Sequence, residues 1–415
     1  MLMLAQSGGK IQPSAPAFPP VDFFPWQGYY LAMENKASRT YTYTPGEVRN
    51  LHILGRSPMQ DGSLVMFWTA SGIELRTAAC EIRAELEAGY STLEPWVSVW
   101  VNGAFVARFM LEKGRRTYSL FRTLETAAPY TIRLLKESQA MSGDDDHSLI
   151  LHSLSATSAL AKDEVFLPVE KKKLNIEFVG DSLTTGEGLA GAVGEMDWIP
   201  AWMSVRNNYA LMTADMLGGD FHLLSQSGWG VTCSWDNDRA CAMPDYYEQV
   251  CGLARGARNE ALGSRKPWDF SSWKADVVVV NLGTNDSGAY RTNPPKAQAD
   301  GTMWKLTDLS LLRQGVTGFL RTIRRNNPAA RIIWAYGMCS FDQGDVIQAG
   351  FDDYIRESGD KAARFVRLDP MADEAEDERG SRQHPGRGTH LRAAKRLCEE
   401  IRNYNQPLEN KAPVV

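Results

Sequence analysis

The segment Asp276-Val277-Val278-Val279-Val280-Asn281-Leu282 places the strongest constraint on the fold of this 415-residue chain. Consecutive side chains of a strand point to opposite faces, so a strand that is apolar at successive positions must be covered on both faces. Such strands are typical of a parallel sheet with helices packed on each side. The segment therefore predicts an α/β domain in which residues 276–282 form a central strand.

The sequence around this segment alternates between short apolar runs and helical patterns. Candidate strands lie at 174–180, 221–225, 276–282, 331–336 and 364–368, and candidate helices lie at about 207–217, 306–325, 345–358 and 389–403. This alternation predicts a doubly wound, mostly parallel sheet, in which ligands bind at the carboxyl ends of the strands.

The N-terminal half carries a different pattern, with many short strands separated by turn signals. Asn102-Gly103, between the apolar runs 96–101 and 104–109, is the strongest hairpin signal in the chain. Short strands at this spacing predict an all-β sandwich with a jelly-roll-like path.

The length of the chain also favours two domains, because 415 residues exceed what one ordinary core covers. We predict a flexible lead-in at 1–25, the β-sandwich at 26–165, a linker at 166–173, the α/β domain at 174–405 and a tail at 406–415.

Composition and charge limit the possible partners. A net charge of −5 argues against nucleic acid or an anionic membrane surface, and no stretch approaches the roughly 20 apolar residues of a membrane helix. Six cysteines without C-x-x-C spacing indicate no zinc ribbon or redox motif. Residues 1–6 lack the basic start of a signal peptide, so we expect a cytoplasmic protein, or a secreted one if the N-terminus is truncated. The oligomeric state stays open.

Polar motifs follow three predicted strands and precede the last helix. They are Gly180-Asp181-Ser182, Ser227-Gly228-Trp229-Gly230, Gly283-Thr284-Asn285-Asp286 and Gln383-His384-Pro385. The carboxyl ends of parallel strands meet at one edge of a sheet, so these motifs are expected to lie together.

These residue types are the ones that ester cleavage requires. Ser182 is predicted as the nucleophile, and His384 as the base that takes its proton and later protonates the leaving alcohol. The backbone N–H groups of Ser182 and Gly228 and the side-chain amide of Asn285 are predicted to stabilise the oxyanion. This chemistry needs no metal and no cofactor.

The four motifs resemble those of the SGNH (GDSL-type) hydrolase superfamily, over roughly 174–405. A β-sandwich joined directly to such a domain is similar to carbohydrate esterase family two, and Gly72–Arg76, Tyr130–Lys136 and Tyr336–Met338 support that likeness. The resemblance implies a flavodoxin-like α/β domain. It also implies that the substrate is an acetylated oligo- or polysaccharide, which loses acetyl groups through an acetyl-enzyme on Ser182.

One position departs from the superfamily pattern. The superfamily usually has Asp three residues before the histidine, where this chain has Ser381. Because a hydroxyl cannot stabilise an imidazolium as a carboxylate does, another group must orient His384. The first hypothesis is a Ser–His dyad oriented by a backbone carbonyl, as in some members of the resembled esterase family. The second is a carboxylate from 369–378, with Asp369 best placed.

Aromatic residues near the motifs suggest a cleft that binds sugars, because aromatic rings stack on the apolar faces of sugars. Trp198, Trp202, Trp229 and Trp235 flank the motifs in sequence, and core packing is the usual alternative for such residues. We predict Trp229, next to Gly228, as a contact of the substrate.

Two other functions stay open. A general short-chain acyl esterase or lipase-like hydrolase would use the same chemistry, although no broad apolar lid segment lies near the motifs. A catalytically decayed carbohydrate-binding protein is the alternative from another class, and the departure at Ser381 keeps it open.

Overall fold

A computed structural model of the protein describes residues 38–124, 129–372 and 377–404. The predicted lead-in at 1–25 and the predicted tail at 406–415 lie outside the described residues. In the part that is described, no helix is both long enough and apolar enough to cross a membrane.

The five strands and four helices predicted in the C-terminal half are present, with bounds within three residues of the predicted ones, and further short strands and helices lie between them. The strands are β1 (Arg39–Tyr43), β2 (His52–Leu54), β3 (Met59–Gln60), β4 (Ser63–Val65), β5 (Gly72–Thr77), β6 (Glu81–Gly89), β7 (Trp96–Val101), β8 (Ala104–Met110), β9 (Gly114–Arg122), β10 (Tyr130–Lys136), β11 (Ser148–Ser158), β12 (Phe166–Leu167), β13 (Asn175–Gly180), β14 (Asp220–Ser225), β15 (Val277–Asn281), β16 (Lys296–Ala297), β17 (Met303–Trp304), β18 (Arg331–Tyr336) and β19 (Ala363–Arg367). The α-helices are α1 (Ser182–Thr185), α2 (Tyr209–Leu217), α3 (Ala257–Ala261), α4 (Thr284–Arg291), α5 (Leu309–Asn326), α6 (Gly344–Ser358) and α7 (Arg387–Arg402), and short 3-10 helices lie at Pro45–Glu47, Lys162–Glu164, Pro200–Trp202, Met243–Tyr246 and Ser381–Gln383.

Two antiparallel sheets form the N-terminal half. One has the order β3-β4-β11-β6-β9 with β1 also paired to β11, and the other has the order β12-β5-β10-β7-β8 with β2 paired to β5. Their buried side chains form one shared cluster, to which β6 contributes every second residue from Ile82 to Ala88. The predicted hairpin at Asn102-Gly103 joins β7 to β8. Two residues of the predicted linker form β12, which pairs with β5.

The third sheet has five strands, all parallel, in the order β14-β13-β15-β18-β19. Numbered along the chain these strands run 2-1-3-4-5, the order of flavodoxin. In β15 the valines face two different apolar clusters: Val277 and Val279 lie with α2 and α7, and Val278 and Val280 lie with α5 and α6. The strand order reverses between β13 and β15, where a doubly wound sheet opens a crevice for ligands.

The sandwich and the parallel sheet share a buried interface. Phe67 and Trp68 of the sandwich lie in the apolar cluster that contains α5 and part of β15. Arg56 is fully buried there and contacts the carboxylate of Glu177 in β13 at 3.0 Å and the carbonyl of Tyr247 at 2.5 Å. Burial opposes ionisation of Glu177, but Arg56 and the other partners outweigh it and lower its pKa to about 2. The carboxyl group of Glu177 is therefore ionised at neutral pH.

The substitution Arg56→Met is expected to leave the Glu177 carboxylate buried without its cation. The free energy of unfolding should fall by about 3–5 kcal/mol, as measured by denaturant titration. Arg83→Met is the control, because the Arg83–Glu81 pair is half-exposed on the sandwich and should contribute less than about 1 kcal/mol. Equal losses in the two variants would contradict a structural role for the buried pair.

Candidate active site

Ser182 lies where β13 ends at the carboxyl edge of the parallel sheet. The side chain of Asp181 caps α1 by accepting the N–H of Leu183 at 3.0 Å, so Ser182 is the first residue of that helix. The serine lines a cleft of about 480 Å³ beside the point where the strand order reverses. Burial raises the pKa of the Asp181 carboxyl to about 7, and the charges of Asp286 and Glu187 add to this effect.

His384 reaches Ser182 from the loop before α7. Its Nε2 lies 2.9 Å from Ser182 Oγ, and its Nδ1 lies 2.9 Å from the carbonyl oxygen of Arg382. A carbonyl can only accept, so Nδ1 carries the hydrogen and Nε2 offers its lone pair to the serine hydroxyl. This is the tautomer that a general base needs. The structure thus brings together the two predicted catalytic residues, which are 202 positions apart.

The carbonyl of Arg382 reaches His384 through a left-handed turn. Arg382 and Gln383 have φ angles of 55° and 58°, a conformation that costs a residue with a Cβ about 1–2 kcal/mol. Two contacts of Arg382 offset this cost: its N–H donates to the carbonyl of Glu195 at 2.8 Å, and its Nε donates to Glu187 at 2.9 Å. Hydrogen bonds from the backbone N–H and from the side chain of Arg382 therefore both stabilise the strained turn.

The structure corrects the hypothesis that Asp369 orients the histidine. Asp369 follows β19 at an exposed position, and Nδ1 of His384 already donates to the carbonyl of Arg382. Ser381 is buried, and its hydroxyl has no hydrogen-bond partner among the described residues. The left-handed turn supplies an acceptor only two residues from the histidine, so the orienting group is the backbone carbonyl of the first hypothesis.

Sequence analysis missed Glu187, which lines the cleft beside the histidine. Its side chain is 4% exposed, and its Oε1 lies 3.8 Å from His384 Nε2. A carboxylate at this distance would attract the positive charge that His384 carries while it holds the proton of the serine. The paired guanidinium of Arg382 is 32% exposed, so water screens its opposing charge more effectively. Glu187 lies five residues after Ser182, between Gly186 and Gly188, and this position was a signal that could have revealed it.

Gly228 presents a backbone donor to the cleft. Its φ is +81°, and a Cβ at this position would lie 2.9 Å from the indole Cδ1 of Trp235, so only glycine fits without strain. No described group accepts the N–H of Gly228. Ser182 lines the same cleft, so the two residues that carry the predicted backbone donors lie at one site.

Asn285, the third predicted oxyanion donor, also lines the cleft from the start of α4. Its Nδ2 donates to the carbonyl of Trp229 at 2.9 Å and to Asp181 at 3.3 Å. The second bond is long and therefore weak, which allows this N–H to be shared with a substrate oxygen. Next to it, the buried carboxylate of Asp286 accepts both the N–H and the hydroxyl of Thr232 and so holds the loop after Gly228.

Trp229 is not in the cleft, which corrects its predicted contact with the substrate. It is 4% exposed and lies in the core, with its ring 5.2 Å from that of Tyr246. The ring turns inward because a large aromatic side chain gains more from burial in the core than from the solvent-exposed edge. Trp198 and Trp235 line the cleft instead, and Trp235 is 53% exposed.

This arrangement can carry out acyl transfer. If Ser182 Oγ attacked a carbonyl carbon, His384 could take the hydroxyl proton and then pass it to the departing oxygen, which would leave an acyl group on the serine. The N–H groups of Ser182, Gly228 and Asn285 could stabilise the oxyanion of each tetrahedral intermediate. Water deprotonated by His384 would then release the acid. Across the described ranges, no three His, Cys, Asp or Glu side chains are grouped to hold a metal ion.

Residues 178–394, just over half of the chain, match the GDSL-like Lipase/Acylhydrolase family. The chain belongs to this family. The resemblance to GDSL-type hydrolases drawn from the four motifs is thereby confirmed.

Individual relatives extend the likeness to the N-terminal half. The cellulase/esterase CelE of Acetivibrio thermocellus is 27% identical over 340 residues, which are 81% of this chain but only 37% of CelE. An acetylxylan esterase / glucomannan deacetylase of Cellvibrio japonicus is 23% identical over 379 residues, 90% of this chain and 95% of that protein. The chain therefore spans little more than a third of CelE but nearly all of the second relative.

Solved structures also resemble this chain over both of its halves. The acetyl xylan esterase Est2A from the rumen bacterium Butyrivibrio proteoclasticus superposes with a TM-score of 0.83 at 37% identity, over 90% of this chain and 100% of Est2A. A family two carbohydrate esterase from Cellvibrio japonicus superposes with a TM-score of 0.72 at 20% identity, over 88% and 98% of the two chains, and shares the fold. The two-domain arrangement is thus common to these structures.

The substitution Glu187→Gln keeps the shape of the side chain and removes its charge. We expect kcat for p-nitrophenyl acetate to fall about 10-fold, the factor for a loss of about 1.4 kcal/mol in stabilisation of the imidazolium. Asp369→Asn is the matched control, because it neutralises an exposed carboxylate that does not contact His384, and its kcat should stay within about twofold. A loss on the order of 10⁴-fold in Asp369→Asn would instead identify Asp369 as a triad carboxylate.

Proposed function

We propose that the protein is a serine esterase that removes O-acetyl groups from oligo- or polysaccharides through an acetyl-enzyme on Ser182. The observation that carries this proposal is the 2.9 Å contact between Ser182 Oγ and His384 Nε2, with Nδ1 of the histidine bound to a carbonyl. The substrate class is supported by Est2A, which is 37% identical and is named an acetyl xylan esterase.

The lining of the cleft suits a sugar better than a long acyl chain. Two indole rings, those of Trp198 and Trp235, offer surfaces on which the apolar face of a sugar ring can stack. Most of the other lining side chains are polar or charged, among them Glu187, Ser227 and Arg382. An acyl chain of many carbons needs a continuous apolar channel, so a lipase-like function is less well supported.

The alternative of a decayed binding protein has little support. Its basis was the serine at 381, and the carbonyl of Arg382 supplies the orientation that a carboxylate at that position would give. The proposal also includes the sandwich. We propose that it follows a jelly-roll-like path, that residues 166–173 link it to the catalytic domain, and that it supports that domain.

Hydrolysis of p-nitrophenyl acetate and p-nitrophenyl palmitate by the wild type and Ser182→Ala tests the proposal. We expect the wild type to prefer the acetate, and the variant to lose on the order of 10⁴-fold or more in kcat. Acetate turnover that survives in Ser182→Ala would exclude this nucleophile, and a preference for palmitate would exclude a deacetylase. A wild type that cleaves neither ester would favour the decayed binding protein.

The substitution Trp235→Ala tests the stacking surface. We expect KM for acetylated xylo-oligosaccharides to rise about 2- to 12-fold, because one stacking contact contributes roughly 0.5–1.5 kcal/mol. The kinetic constants for p-nitrophenyl acetate, which has no sugar ring, should stay within about twofold and serve as the internal control. An unchanged KM for the oligosaccharides would show that Trp235 does not contact them.

NMR of the products from acetylated xylo- and manno-oligosaccharides would identify the hydroxyl position from which the acetyl group is removed.

A further inference from the structure

One buried side chain of the sandwich reaches the back of the active site. Gln139, in the loop after β10, is fully buried, and its Oε1 accepts the N–H of Ser227 at 2.7 Å and the hydroxyl of Thr185 at 3.2 Å. Ser227 immediately precedes Gly228, and Thr185 ends the short helix that begins at Ser182. One amide oxygen therefore contacts both of the segments that carry the backbone oxyanion donors.

The loop that carries Gln139 is itself held at several points. The ammonium group of the buried Lys136 donates to the carbonyl of Gln139 at 2.8 Å and to that of Phe67 at 2.6 Å. Three residues further on, the hydroxyl of Ser142 accepts the side-chain N–H of Gln226 at 3.2 Å. Gln139 is thus fixed relative to the sandwich before its side chain crosses into the catalytic domain.

The contacts of Gln139 set the orientation of its amide. With the amide reversed, its NH₂ group would face the N–H of Ser227, and two donors would meet. In the observed orientation the oxygen accepts that N–H, while Nε2 is buried without a partner among the described residues. An apolar side chain would avoid that unpaired N–H, so what distinguishes glutamine at this position is the acceptor that it offers to Ser227.

We propose that Gln139 is a positioning residue of the catalytic site, through which the sandwich holds the Ser227–Gly228 turn in the geometry that stabilises the oxyanion. Oxyanion donors act because they are fixed before the reaction, and a displacement of about 1 Å can cost on the order of 10²-fold in rate. Gln139 itself touches neither substrate nor reacting atoms. The inference rests on the proposed esterase function of Ser182 and adds that the sandwich is an integral part of the active site.

Three variants of the full chain test this role with p-nitrophenyl acetate. Gln139→Met keeps the length of the side chain but replaces the amide oxygen by a thioether sulfur, which is only a weak acceptor. Its kcat should fall roughly 10- to 100-fold while KM stays within about twofold. Gln139→Glu keeps an acceptor oxygen and should retain more activity than Gln139→Met. Ser142→Ala removes a different hydrogen bond between the same loop and the catalytic domain, and it should match the wild type.

A second measurement does not depend on the substrate. In the reaction of the enzyme with a fluorophosphonate, Ser182 Oγ bonds to phosphorus, fluoride leaves, the proton passes to His384, and the phosphoryl oxygen takes the place of the oxyanion. We expect labelling of Gln139→Met to slow by a factor similar to its loss in kcat. Thermal unfolding checks that each variant is folded, and Gln139→Asn, whose oxygen stops one methylene short of Ser227, replaces Gln139→Met if that variant does not fold.

The outcomes separate the two proposals. A wild type that is labelled at Ser182 but cleaves no acetyl ester contradicts the proposed function, and the labelling rates then decide the role of Gln139. Wild-type labelling and kcat in folded Gln139→Met or Gln139→Asn would overturn the inference. A loss of the same size in Ser142→Ala would also overturn it, because the effect would then belong to the packing of the loop as a whole.

Discussion

The site depends on one hydrogen bond, from Nδ1 of His384 to the carbonyl of Arg382. This bond keeps the hydrogen on Nδ1, so the lone pair of Nε2 points at the serine hydroxyl. A triad carboxylate orients the histidine in the same way, and a neutral carbonyl is sufficient for this orienting role. The other contribution of a triad carboxylate is charge, and here the nearest carboxylate is Glu187, on the Nε2 side of the ring. Arg382 links the two, because its side chain pairs with Glu187 while its carbonyl orients the histidine.

Two buried cationic side chains, those of Arg56 and Lys136, lie at the junction between the two halves of the molecule. Arg56 crosses from the sandwich to Glu177, and Lys136, at the end of β10, donates to the carbonyl of Gln139. Burial lowers the pKa of Lys136 to about 7, so its proton is held weakly near neutral pH. Polar groups placed in this way have few alternative partners, and they specify how the halves dock more sharply than apolar contacts do.

Prediction from sequence succeeded where the signal is local. Consecutive valines require two covered faces, so the central strand and the parallel sheet around it were identified correctly. The hairpin at Asn102-Gly103 was also predicted correctly, because this dipeptide favours a tight turn by its own backbone conformation. The family followed from four motifs in order, and the cleft lining brings together the predicted Ser182, Gly228, Asn285 and His384.

Prediction failed where the answer depends on which distant groups meet. Asp369 follows a strand and Trp229 is next to Gly228, so both were predicted at the site from their positions in the sequence. Asp369 is exposed to solvent, and Trp229 is packed in the core. Glu187 and Gln139 carry no sequence signal as strong as the contacts that they make. By itself the sequence determined the strands, the turns and the types of side chain at the edge of the sheet. Hydrophobic periodicity and the backbone freedom of glycine fix these features within a few residues. Only the tertiary structure decided which group orients the histidine, because the left-handed turn that brings the carbonyl of Arg382 to it is held by contacts with Glu187 and Glu195, far away in sequence. It also decided which rings line the cleft, because the cleft joins segments far apart along the chain.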